Sequence, residues 1–153
     1  MTRVLVCGGR GYGEVPRDCP LDQLDFERAR AAKEVARLFQ VLDAAVSRLR
    51  LTLLIHGGAF GADRNAGSSA KARGIAMQIY QAEWSADVER AGAVVRVNSR
   101  GNRYDAAAGA RRNQQMIDEG KPEVCIAFPG GSGTRDMVSR ATKAGVRVIK
   151  VDW

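Results

Sequence analysis

The sequence predicts a doubly wound α/β fold: a Rossmann-like, three-layer single domain whose parallel sheet lies between two layers of helices. Short apolar runs at Val4–Cys7, Leu51–Ile55, Ile75–Tyr80, Val124–Phe128 and Val146–Val151 alternate with segments of helical spacing. The runs are mostly apolar at consecutive rather than alternate positions, the mark of strands covered on both faces. Right-handed crossovers then wind the chain to both sides of one sheet. Glycine-rich turns follow three of the runs: Cys7-Gly8-Gly9-Arg10-Gly11, His56-Gly57-Gly58-Ala59-Phe60-Gly61 and Phe128-Pro129-Gly130-Gly131-Ser132-Gly133. Ligands of open parallel sheets bind beyond the carboxyl ends of the strands, where these turns fall.

Val4–Cys7 is the first buried strand. The helix after it carries Val35, Leu38, Phe39, Leu42, Ala45, Val46 and Leu49 on one face in three-four spacing. Leu51–Ile55 is the second strand and ends at His56. An alanine-rich helix runs from Gly61 to Arg73 and stops at Gly74, before a third strand at Ile75–Tyr80. Trp84 to Arg103 reads as an irregular excursion holding a short strand, Ala93–Val97; it either covers the ligand site or is an ordinary surface loop. A helix from Tyr104 to Glu119, ended by Gly120, leads to the fourth strand, Val124–Phe128. The last helix, Gly133–Lys143, ends at Gly145 ahead of Val146–Val151.

With 153 residues and no linker, repeat or low-complexity tract, residues 1–153 form one domain large enough to bury a core. A hydrophobic content of 45% and a charged content of 27% are those of a globular protein in water. No apolar run approaches the roughly 18–20 residues that cross a bilayer, and the N-terminus reads as a strand rather than a signal peptide. Cys7, Cys19 and Cys125 are an odd set without metal-ligand spacing, which points to reduced thiols and a cytoplasmic protein. The net charge of +7 favours anionic partners. Lacking a lysine tract and holding only 6% aromatic residues, the chain reads as a basic surface around a nucleotide pocket rather than a nucleic-acid interface.

A glycine turn from strand to helix aims backbone N–H groups and the positive end of the helix dipole at one point, which suits a phosphate. Gly8, Gly9, Gly57, Gly58, Gly61, Gly130, Gly131 and Gly133 supply such turns, with Pro129 opening the last and Thr134 adding a hydroxyl donor. The lysine-bearing Walker pattern and the full G-x-G-x-x-G fingerprint are both absent. Arg10 either clamps phosphate or is solvated at a loop tip. His56, the single histidine, hydrogen-bonds the neighbouring turns or serves as a base, and it has no partners for a metal site. Asp63 reads a ribose hydroxyl or caps free amides, with Arg64 beside it at the same helix start. Arg111 and Arg112 diverge by about 100° on a helix, so one of them points inward. Asn113 offers an amide to a base edge or a loop carbonyl, and Trp84 stacks on a base or packs at the sheet edge.

The run Pro129-Gly130-Gly131-Ser132-Gly133-Thr134, preceded by Arg112-Asn113-Gln114-Gln115-Met116, is similar to the signature pair of the SLOG superfamily of Rossmann-like proteins. That superfamily includes the lonely-guy phosphoribohydrolases and the DNA-processing protein A family. The chain most resembles its small YspA-like and YpsA-related bacterial and phage branch. Gly8-Gly9-Arg10, His56-Gly57-Gly58-Ala59 with Gly61-Ala62-Asp63, Ala108-Gly109 with Arg112-Asn113, and the final turn through Asp136-Met137 carry that resemblance. It implies a glycine cradle for phosphate with Arg112 as counter-charge. For the phosphoribohydrolases it also implies cleavage of the N-glycosidic bond of a nucleoside 5′-monophosphate, with a glutamate steadying the sugar cation. The glutamate position falls on Met137, which does not ionise; Asp136 is adjacent but turned by about 100°. Arg112 with Asp136 is the candidate catalytic pair, and Asp63 is an alternative carboxylate.

The expectation is a protein that binds a nucleotide or nucleotide-derived ligand for sensing, sequestration or processing. It would need no further cofactor and would pair as a homodimer or larger. Two rival readings are a nucleotide N-glycosidase and a single-stranded DNA-binding protein.

Overall fold

The computed structural model describes residues 1–86 and 90–152. Thr2–Cys7 (β1), Leu51–His56 (β2), Ala76–Ile79 (β3), Val124–Ala127 (β6) and Arg147–Lys150 (β7) form one parallel sheet in the order β3-β2-β1-β6-β7. Its helices are Leu24–Leu49 (α1), Ala62–Ala72 (α2), Ala108–Asp118 (α3) and Ser132–Lys143 (α4). This is the doubly wound fold the apolar runs predict, with the ends of the five strands within two residues of those runs.

Alternation along β1 builds the three layers. Val4 and Val6 face a core with Leu38, Leu42, Ala45, Ala62, Ala66 and Ala70, so α1 and α2 cover one side. Leu5 and Cys7 face Met116, Ile117, Met137 and Ala141, so α3 and α4 cover the other. On α1, Ala31, Glu34, Leu38, Leu42 and Ala45 are the buried positions, the stripe expected of a helix lying on a sheet. Small residues Ala62, Ala66 and Ala70 let α2 lie close to the strands.

The chain winds outward from β1 through β2 to β3, then returns past β1 to β6. Strand order therefore reverses between β1 and β6, and this switch point is where such folds open a crevice. Gly8 makes the strands' ends converge there: a Cβ on it would stand 2.5 Å from the Ala62 Cβ and 2.9 Å from the Phe128 Cβ. Gly61 holds the start of α2 against the β1 turn, with φ at 78° and the Gly9 carbonyl where a Cβ would project.

The return path differs from the sequence reading. Tyr104 to Asp105 is not helical: Arg103–Asp105 (β5) pairs antiparallel with Val95–Val97 (β4), and α3 begins only at Ala108. Asp105 sets that boundary, because its buried carboxylate accepts hydrogen bonds from the Val94 and Ala107 amides and from Arg111. The Trp84–Arg103 excursion is thus partly a hairpin strand, while its residues 87–89 lie outside the described residues. No helix among the described residues is long and apolar enough to cross a membrane.

Candidate functional site

A cavity of about 550 Å³ lies at the switch point, beyond the ends of β1 and β6. The β1 turn gives it Gly8, Gly9 and Arg10; the α4 start gives Gly131, Ser132, Gly133, Thr134 and Asp136. Ala59 and Asp63 reach it from the β2 side, and Arg112 and Asn113 from α3. Met116 and Met137 form an apolar floor, Met137 being 1% exposed. Trp84 stands at the rim, exposed, with Arg10 stacked 5.4 Å from its ring centre.

The α4 wall presents backbone amides left free by the helix. Its first three amides, on Ser132, Gly133 and Thr134, have no acceptor within the helix, whereas Arg135 N already donates to Gly131 O at 3.1 Å. No side chain caps this end and no acidic residue occupies the first turn. A Cβ on either Gly131 or Gly133 would meet no protein atom within 4 Å. Packing therefore does not require glycine at these two positions, which stand exposed at the cavity edge.

Arg112, rather than Arg111, turns inward. Its Nη1 donates to Gly57 O at 2.6 Å and Tyr80 O at 3.2 Å, and its Nε donates to Asn113 Oδ1 at 3.1 Å. Burial lowers its pKa and the charge of Arg10 adds to that, with Asp63 opposing both. Arg111 instead pairs with Asp105 at 2.9 Å. Asn113 uses its amide to donate to Gly133 O and to Asp136 Oδ2, tying α3 to the α4 start. Burial opposes ionisation of Asp136, but the hydrogen bonds from Arg140 and Asn113 outweigh it and hold its pKa low.

Asp63 caps the β2 turn through one oxygen: its Oδ2 accepts from Gly57 N at 3.0 Å and Ala59 N at 3.2 Å. Burial raises its pKa, opposed by the Ala59 amide, the Arg112 charge, the Gly57 amide and the Arg10 charge.

Several residues read as ligand-facing lie elsewhere. His56 is 3% exposed and does not line the cavity. Its Nδ1 accepts from Gly58 N at 3.0 Å, so the proton sits on Nε2, which has no partner among the described residues. Burial, reinforced by Arg112, depresses its pKa to about 4, which disfavours any role as a base at neutral pH. Gly57 and Gly58 sit behind the wall: the Arg112 guanidinium occupies the place of a Gly57 Cβ, and Ile79 and Gln81 cover Gly58. Gly61 is packed on the β1 turn, and Arg64 stacks on Phe60 with 3.8 Å to the ring centre. Pro129 and Gly130 close the strand ends, the Pro129 carbonyl accepting from Gly9 N at 2.9 Å and Gly130 lying against Thr134 Oγ1.

Gly109, Met116 and Ser132, which the sequence places in motifs but not among the candidate site residues, line the cavity together with Ala110. Gly109 carries the clearest signal, a lone glycine in a helix; Trp84 lies 3.1 Å from where its Cβ would be. Among the described residues no group of His, Cys, Asp and Glu side chains could hold a metal ion.

Fold and site together define a doubly wound α/β protein with a cavity at its switch point, lined by both charged and apolar side chains. Residues 2–86 match the family model YAcAr, the YspA, cpYpsA-related SLOG family, and the chain belongs to that family. No curated protein sequence matches it. The Moco carrier protein from Chlamydomonas reinhardtii has a similar structure, with a TM-score of 0.50 and 16% identity over 98% of this chain and 75% of that one. DNA processing protein A (DprA) from Streptococcus pneumoniae aligns with a TM-score of 0.55 and 20% identity over 100% of this chain and 51% of its own. At these identities the likeness is one of fold, and this chain spans about half the length of DprA.

Proposed function

We propose that this protein binds a nucleotide or nucleotide-derived ligand in the switch-point cavity, with its phosphate on the first-turn amides of α4. The observation that carries this reading is the bare wall at Gly131 and Gly133, where a Cβ would meet only open space. Free amides, a helix dipole and the absence of acidic side chains in that turn favour an anion. Arg10 and Arg112 supply positive charge along the same cavity, and Trp84 offers an aromatic surface at its rim. Sensing or sequestration fits these residues better than N-glycosidic cleavage. The position of the phosphoribohydrolase glutamate is held by buried Met137, and Asp136 is engaged by Asn113 and Arg140.

Native mass spectrometry of the purified protein tests the reading, with a retained adduct of nucleotide mass as the expected result. Incubation with a panel of nucleoside 5′-monophosphates should then show binding without release of free base on chromatography. Release of base would replace the binding reading by the glycosidase one. Absence of any nucleotide binding, with a gel shift on single-stranded DNA that weakens as salt rises, would replace it by the strand-binding one.

A further inference from the structure

We propose that Asp63 makes the cavity selective for ribonucleotides, its second carboxylate oxygen accepting a hydrogen bond from a ribose hydroxyl. This rests on the nucleotide reading above and assigns the sugar end of that site. Asp63 is 6% exposed and lines the cavity. Its Oδ2 is taken by the Gly57 and Ala59 amides, while Oδ1 has no protein donor among the described residues. Nor is Oδ1 among the sealed polar atoms that lack a partner, which are His56 Nε2 and Arg90 Nε. It therefore opens on the cavity, and a carboxylate oxygen so placed calls for a donor.

The sheet sets the distance of that donor from the phosphate. β2 and β6 flank β1, so the turns that follow them stand about 10 Å apart, two strand spacings. An anion on the α4 amides brings the next unit of a nucleotide, its sugar, over the β1 turn and toward Asp63. A carboxylate repels a second phosphate there and accepts from a hydroxyl. Arg112 stands close enough to bias Asp63 toward the ionised form, yet no ion pair joins them among the described residues, so the free oxygen is not already claimed.

Calorimetric titration of the intact protein with AMP, GMP, CMP and UMP, each beside its 2′-deoxy and 3′-deoxy counterparts, tests this. For the base that binds, removal of one of the two hydroxyls should weaken affinity by about tenfold or more, as when a built polar partner goes unmet. In Asp63→Asn, whose side-chain oxygen can still accept from the two turn amides, that ratio should shrink toward one. Should this variant fail to fold, the wild-type ratio alone decides. Equal affinity for ribo- and deoxyribonucleotides overturns the assignment of Asp63 and leaves the nucleotide reading standing. Binding of none of them overturns the nucleotide reading, and this assignment with it.

Discussion

Gly133 lies in the first turn of α4, where glycine is a poor helix former and a Cβ would touch nothing. Replacing it with alanine should stabilise the protein by about 0.5–1 kcal/mol through reduced chain entropy. The same methyl group would occupy the phosphate side of the cavity, so Gly133→Ala should retain less nucleotide in native mass spectra while unfolding at higher urea. Undiminished retention would place the ligand elsewhere. Gly8→Ala should behave oppositely. Its methyl group meets the Ala62 and Phe128 Cβ atoms, both fixed to backbone, and overpacking of that kind costs about 2–3 kcal/mol. From sequence these two glycines look alike, each in a strand-to-helix turn. Only the partner across the gap tells them apart, and that partner is a tertiary fact.

At the scale of elements, the legible parts were those whose pattern is local. Strands buried on both faces read as apolar runs, and α1 announced itself by its three-four stripe. Of the β4–β5 hairpin only the first strand was legible, as Ala93–Val97; β5 was not, because Val95, Arg96 and Val97 are all exposed and their pairing is made by residues about eight positions on. Asp105 then decided where α3 begins, through hydrogen bonds invisible in a hydropathy pattern. Asp105→Asn should raise amide hydrogen exchange across residues 94–107 before it affects the sheet, and equal exchange in both proteins would remove Asp105 as the anchor. Arg112 is a second case. Its position on an inward helix face was readable, but not its use as a tie from α3 to the carbonyls of Gly57 and Tyr80. That guanidinium, 55 residues from Gly57 in sequence, is why Gly57 is shut off from the cavity that Ala59 and Asp63 reach. Arg112→Ala should therefore lose about 2–3 kcal/mol of stability as well as ligand, since hydrogen bonds from a charged donor to buried carbonyls are the costly ones to remove. A thermal melt unchanged from wild type would show that the tie carries no weight.

For the whole molecule the buried histidine links stability to pH. His56 is neutral in the fold: Nδ1 accepts from Gly58 N, and Nε2 is enclosed near Gly67, whose Cβ would lie 3.1 Å from it. Protonation would cost the Gly58 hydrogen bond and place a cation in a desolvated site near Arg112, which is why the pKa falls from 6.5 to about 4. Above pH 6.5 the ring is neutral in both folded and unfolded chains and contributes no slope. Between 6.5 and 4 the unfolded chain takes up a proton that the folded one refuses, so stability falls as the medium is acidified. The loss is complete below the folded pKa and amounts to about 3 kcal/mol. Urea midpoints measured from pH 7.5 down to 5 should fall further for the wild type than for His56→Asn, whose amide oxygen can replace Nδ1 as the acceptor for Gly58. The carboxylates of Asp105 and Asp136, held below their ordinary pKa, lose their contribution only at lower pH, while Asp63, whose pKa burial raises, gives a slope of opposite sign that both proteins share, so the difference between the two curves belongs to His56. Superimposable curves for the two proteins would mean that the imidazole is solvated in the native state, contrary to its enclosure behind α2.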